Sequence, residues 1–217
     1  MNSRKFFVSV MCMFLGCISM MAQKSELHQR AESEDAKHNV ANARSLYIRA
    51  FEGYVGKGQI DEGVACGVKA TALYYKDNLY KEAFELLRRV DQQIDGSNAQ
   101  ASNKSALHYQ TSKERMQMYV KLRKSDRAKE QMGFMENHVS RSGNESLRDD
   151  LLYQKAIFYY TFGQTAQGNA VFKEMASKLT AQKDYDKVDE VYQMLLASGR
   201  QSNNAGMLNQ AYSSYIS

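Results

Sequence analysis

From His38 onward, apolar residues return every three or four positions. Val40, Ala43, Tyr47, Ala50, Phe51 and Tyr54 share one face of a helix. Ile60, Val64, Ala65, Val68, Ala72 and Tyr75 mark a second helix. Tyr80, Ala83, Phe84, Leu87 and Val90 mark a third, which ends near Asp95 and Gly96. GSNAQASNKS, from Gly96 to Ser105, holds turn formers and no large apolar residue, so it reads as a loop. Leu107, Met116, Tyr119 and Val120 carry a fourth helix, and Ala128, Met132, Met135 and Val139 a fifth. SRSGNES, from Ser140 to Ser146, is the next loop. Three helices are expected after it: Leu151 to Phe162, Ala166 to Leu179, and Tyr185 to Ala197. SGRQSNNAG, from Ser198 to Gly206, reads as a turn. Leu208, Ala211, Tyr212 and Tyr215 suggest a last helix.

Nowhere does an alternating strand pattern stand between hairpin turns. The chain holds no proline, so no segment is forced to stop by a missing N–H. Short helices joined by short polar loops imply antiparallel neighbours and an all-α fold.

The pattern also repeats. YIRAFEGYVGKGQIDEGV, from Tyr47, matches YQKAIFYYTFGQTAQGNA, from Tyr153, once Tyr54 is set on Tyr159. That shift also sets Gly58 on Gly163, Gly63 on Gly168 and Tyr80 on Tyr185. Read alone, Gly58 to Gly63 has the GxxxxG spacing of a phosphate loop. Val64 and Ala65 stand where that loop needs Lys and Ser or Thr, and a helix precedes it in place of a strand. What recurs is a backbone requirement. Gly58 would close one helix in a left-handed cap, and Gly63 would let the next pack closely.

These segments resemble the tetratricopeptide repeat, a helix–turn–helix unit of 34 residues. Tyr54, Gly58, Gly63 and Ala70 follow its frame, as do Tyr119, Ala128, Met132 and Met135, and Tyr159, Gly163, Gly168 and Phe172. LYKEAFELL and YDKVDEVYQML resemble the repeat's second helix, with Ala83 and Val188 at the small position. The resemblance spans roughly residues 40–200; the usual Trp and closing Pro are absent and the spacing stretches toward ~40 residues. It implies a tetratricopeptide-like α-solenoid, a right-handed superhelix of antiparallel helix pairs. Exported arrays of this kind are similar to the periplasmic sensor regions of bacterial two-component receptors. That likeness leaves open a second expectation: an N-terminal sensory fragment without its kinase or DNA-binding output modules. The apolar stripe still runs at YSSYIS, so the last helix is expected either to dock on a partner or to continue into a longer frame.

The chain's start differs from the rest. Arg4 and Lys5 precede FFVSVMCMFLGCISMMA, and a small residue stands at Ala22. A basic start, a short apolar run and a small residue read as a signal peptide over 1–22, with a periplasmic or secreted destination. Phe14-Leu15-Gly16-Cys17 also resembles a lipoprotein box, which would anchor the chain through Cys17. Residues 23–37 are polar and read as a leader or a loosely held first helix, with the helical-repeat domain over 38–217.

Charge and chemistry narrow the function. Without Arg4 and Lys5 the basic excess falls from five to three, too little and too scattered for nucleic-acid binding. Cys66 alone remains after Cys12 and Cys17, so it reads as a small buried residue. His28, His38, His108 and His138 have no i, i+3 or i, i+4 pairing, so no metal is expected. Acids in the first turn of a helix explain KDYDKVDE, from Lys183 to Glu190. The Asn103 and Asn144 sequons read as loop polarity. With no nucleophile elbow, paired catalytic carboxylates or phosphate motif, neither catalysis nor a cofactor is expected.

The tyrosines remain. Fourteen occur, and most fall on core faces. Tyr159 and Tyr160 are adjacent on a helix and cannot face the same core. In the repeat frame the first helix of each pair lines a concave groove. That places Ile48, Glu52 and Val55 in the groove, then Lys113 and Gln117, then Tyr153, Ile157 and Tyr160. Such a groove suits a protein or peptide partner, because Tyr offers contact area at low entropic cost. Sequencing the N-terminus of the exported protein should find Gln23; an acylated Cys17 would assign the lipoprotein route instead.

Overall fold

The computed structural model of the protein describes residues 24–181 and the single positions 189, 192, 193, 196, 199, 200 and 209. The expected signal peptide lies outside the described residues. So, apart from those positions, do the helices expected at Tyr185–Ala197 and from Leu208, the turn between them and the acidic run at 183–190. The described residues form eight helices and no strand: α1 (Glu26–Ala36), α2 (Val40–Val55), α3 (Ile60–Lys76), α4 (Tyr80–Gly96), α5 (Ala101–Lys121), α6 (Ser125–Ser142), α7 (Glu145–Thr161) and α8 (Thr165–Ala181). All of the described core is therefore helical.

One turn builds most of the connections. After α2, the Gln59 N–H donates to the Tyr54 carbonyl at 3.0 Å and the Gly58 N–H to that of Val55 at 2.9 Å. This is the pair of bonds of a Schellman turn, and it needs a left-handed residue between them. Gly58 supplies it, with φ +72°. The same bond pair recurs after α1, α3, α5 and α7, on the carbonyls of Glu34, Tyr74, Tyr119 and Tyr159. The left-handed residues there are His38, Asn78, Arg123 and Gly163. Each turn also places a small residue five positions later: Ala43, Gly63, Ala83, Ala128 and Gly168, all buried. Each donates its N–H to the residue that closes the turn. The small residue lets the new helix descend close to the old one. At Gly63 a methyl group would fall 3.0 Å from Val55 Cγ2, and at Gly168 it would fall 2.7 Å from the Tyr160 ring.

The expected loops are shorter than their composition suggests. α4 continues through Gly96 and α5 begins at Ala101, so Ser97–Gln100 alone join them. Asn103 is inside α5, where its amide bonds Asp61 of α3 at 2.9 Å. Of the second expected loop only Gly143 and Asn144 are outside helices. Asn144 caps α7 by accepting from the N–H groups of Ser146 and Leu147.

Each helix packs on the next, and α5 also packs on α3 and α7. The core runs as a string of clusters. One spans α1 to the start of α5, around Phe51, Tyr54, Val64, Leu86 and Ile94. Another spans α5, α6 and α7 around Tyr109, Met116, Met135 and Phe158. α7 and α8 close a third around Tyr160 and Phe172. Within residues 23–37, α1 is held by Tyr54, whose hydroxyl accepts the Ser25 N–H at 2.7 Å and meets His28 Nδ1 at 3.2 Å. Cys66 is a buried free thiol, and burial pushes its pKa up to about 12. Ala65, expected on the buried stripe of α3, is exposed, and Cys66 and Gly67 are buried instead. α3 packs against α2, α4 and α5, so its buried surface wraps past one stripe.

The close approach of α3 and α4 rests on Gly67, where a methyl group would fall 2.5 Å from Val90 Cγ2. Gly67→Ala should cost about 1–3 kcal/mol through overpacking. Gly53→Ala, in open space on α2, should gain up to about 1 kcal/mol from a stiffer unfolded chain. Thermal unfolding of the two variants checks both signs.

Candidate binding surface

The stacked helices α3, α5 and α7 each carry a strip of side chains that is uncovered or half-covered. On α3 the strip is Ala65, Lys69, Ala72 and Lys76. On α5 it is Gln110, Lys113, Gln117 and Lys121, and on α7 it is Asp150, Tyr153, Ile157 and Thr161. The i, i+4, i+7, i+11 or i, i+3, i+7, i+11 spacing keeps each strip on one helix face. α5 can present no wider face, because its flanks are both buried. Leu107, Thr111, Glu114 and Met118 point one way, and Ser105, Tyr109, Ser112 and Met116 the other.

Side chains link the three strips. The Tyr75 hydroxyl donates to Gln117 Oε1 at 3.2 Å, and the Gln117 amide donates to Gln154 Oε1 at 3.2 Å. The Gln154 amide then donates to Asp150 Oδ1 at 3.4 Å. Asp150 also accepts from Tyr109 at 2.6 Å and from Lys113 at 2.8 Å. At the far end Lys121 donates to the Tyr75 carbonyl at 2.9 Å and sits over the Tyr75 and Tyr80 rings. Burial and the bonded Asp150 carboxylate push the Tyr109 hydroxyl far above its ordinary pKa, so it serves as a permanent donor. Burial, aided by the nearby Glu114 carboxyl, pushes Tyr75 up to about 12.

Glu114 lies under this seam, 8 % exposed. Its Oε2 is buried without a hydrogen-bond partner. Burial pushes its carboxyl up to about 7, and Lys113 and Lys69 pull against that shift.

The residues expected to line a groove divide into two groups. Lys113, Gln117, Tyr153 and Ile157 fall on the strips of α5 and α7. Tyr160 is 3 % exposed, with its hydroxyl donating to Asn169 Oδ1 at 2.8 Å and its ring against Gly168. It belongs to the α7–α8 core, and its neighbour Tyr159 packs into the α5–α6–α7 cluster. Adjacent tyrosines thus face different cores. Ile48 and Val55 pack on the first cluster, and Glu52 pairs with Arg89 of α4 at 2.8 Å. α3 rather than α2 packs on α5, and α5 in turn packs on α7. The sequence reading missed Tyr75, Tyr109, Glu114, Asp150 and Gln154. The signal in α5 is faint: Ser105, Thr111, Ser112 and Glu114 are polar yet buried, on two flanks that no single apolar stripe would mark.

Among the described residues no group of three or more His, Cys, Asp or Glu is placed to hold a metal ion. Among them, too, no helix is long and apolar enough to cross a membrane. No protein-family model matches the chain, and no curated protein matches it.

Glu114 makes stability depend on pH with a definite sign. Its folded pKa lies above the ordinary carboxyl value of 4.5, so the folded state keeps the proton longer than the unfolded one. Its contribution is best below pH 4.5 and is lost as pH rises to about 7. Glu114→Gln should therefore gain on the wild type through that window and hold its advantage above it. The gain is on the order of 3 kcal/mol at most. Urea unfolding at pH 5 and pH 8 measures it.

Proposed function

We propose that the chain is an exported, non-catalytic helical-repeat protein that binds a protein or peptide along the strips of α3, α5 and α7. The observation that carries this reading is the side-chain chain Tyr75–Gln117–Gln154–Asp150, which crosses all three helices and holds their strips in register. Such a bonded row fixes the spacing of Lys69, Lys113, Lys121 and Tyr153 before any partner arrives, which lowers the ordering cost of binding. The recurrent turn and the stacking of α3, α5 and α7 support a right-handed superhelix of tetratricopeptide type, with this face as its concave side. Lysines outnumber acids on the strips, and tyrosine rings lie among them, so the surface suits an extended segment that carries carboxylates. The signal peptide expected over 1–22 supports a periplasmic or secreted setting.

The test is affinity capture from envelope extract with the mature chain and with a Lys69→Ala, Gln117→Ala, Tyr153→Ala variant. The variant changes half-exposed or exposed positions and should keep its helical circular dichroism. It should lose at least tenfold of any captured partner, as quantified by mass spectrometry. Undiminished capture by a folded variant would remove this face from the function.

A further inference from the structure

The junction of α4, α5 and α6 holds a cluster that the binding face does not use. Both ring nitrogens of His108 on α5 face carboxylates of α4. Nδ1 lies 3.2 Å from Asp91 Oδ1, and Nε2 lies 3.0 Å from Asp95 Oδ1. A neutral imidazole can donate from one nitrogen only, so this clamp is complete only for the imidazolium. Asp91 is fixed further by the Thr111 hydroxyl at 2.7 Å and by Arg115. Asp95 is 71 % exposed at its side chain and is steadied by Lys104, which donates to its carbonyl. From α6, His138 stacks on His108 with ring centroids 5.5 Å apart and planes 20° from parallel. The His138 Nδ1 is buried without a hydrogen-bond partner. A protonated His138 would set one cation face to face with another, with Arg141 adding a third positive charge nearby.

We propose that the stacked pair His108–His138, clamped between Asp91 and Asp95, is a pH-gated latch that couples hairpin α3–α4 to hairpin α5–α6. The two rings act in opposite directions. The bonded Asp91 raises the pKa of His108, so its contribution is complete below pH 6.5 and is lost as pH rises through the folded value. Burial lowers the pKa of His138, so its contribution is complete above pH 6.5 and is lost as pH falls through the folded value. The latch is tightest between these limits, with His108 charged and His138 neutral. Alkali frees Asp95 and loosens α4 from α5; acid splits the stack and loosens α5 from α6. The other charges near the pair are Arg115 and Lys104 on α5, while Asp150 of α7 is turned to Tyr109 and Lys113.

Proton NMR of the imidazole Cε1–H groups in the mature chain, assigned with His→Gln variants, reads both titrations. His108 should titrate above 6.5 and His138 below it. Asp95→Asn, a surface change, should lower the His108 midpoint and leave that of His138 in place. Hydrogen exchange, corrected for the intrinsic effect of pH, should show roughly tenfold loss of protection in α4 and α5 above the His108 midpoint, the loss of one charge-assisted bond. His138→Phe keeps a stacked ring that cannot titrate, so it should preserve protection at acid pH where the wild type loses it. A His108 midpoint at or below 6.5 overturns the latch. So does an unchanged midpoint in Asp95→Asn, or acid loss in His138→Phe equal to that of the wild type.

Discussion

A helix that ends must place its last carbonyls somewhere. In this chain it places them on the N–H groups of the residues that open the next helix. That economy requires one residue in the left-handed region and, five positions on, a side chain small enough for the helices to close. At Gly58 and Gly163 the first demand is met without strain. His38, Asn78 and Arg123 meet it with a Cβ, at a cost of about 1 kcal/mol or more outside Asn. They persist because two backbone bonds and a buried small residue fix the turn from both sides. The close spacing of the two helices on either side of each such turn descends from that local constraint.

Packing within the hairpins is apolar, and much of the packing between them is polar. α3 with α4 and α7 with α8 meet through apolar cores. Between α4 and α5 stand Asp91, His108, Thr111 and Arg115; between α5 and α7 stand Tyr109, Asp150, Gln117 and Gln154. Apolar contacts tolerate a slip of register, whereas a buried bonded row does not, because a shift leaves desolvated groups unpaired. The polar seams therefore define how one hairpin sits on the next. Glu114 is the one carboxyl in them with a buried oxygen that finds no partner among the described residues.

The helices were legible because their apolar period is strong, and the glycine turns were legible because Gly58 and Gly163 repeat at one shift. The same turn was hidden at Arg123, whose side chain has no left-handed preference, and less legible at His38 and Asn78, which favour that region more weakly than glycine. The loop at Gly96–Ser105 was overread for the converse reason. Ser and Asn favour turns in isolation, yet in α5 Asn103 bonds Asp61 of α3 and Ser105 is buried, neither of which is visible in the local sequence. The candidate surface was half visible. Lys113, Gln117, Tyr153 and Ile157 follow from spacing alone. Ile48, Glu52 and Val55 are on α2, which packs on α1 and α3 and not on α5, and that order of packing is not carried by a single strip of sequence.

Because α5 is buried along two flanks, it offers solvent an edge rather than a face. From Gln110 to Lys121 that edge runs for about 16 Å at the rise of an α-helix. A polypeptide crossing it in extended form would leave after about five residues. A segment of the proposed kind would therefore meet a strip whose length is set by the helix and whose width is set by the burial of its two flanks.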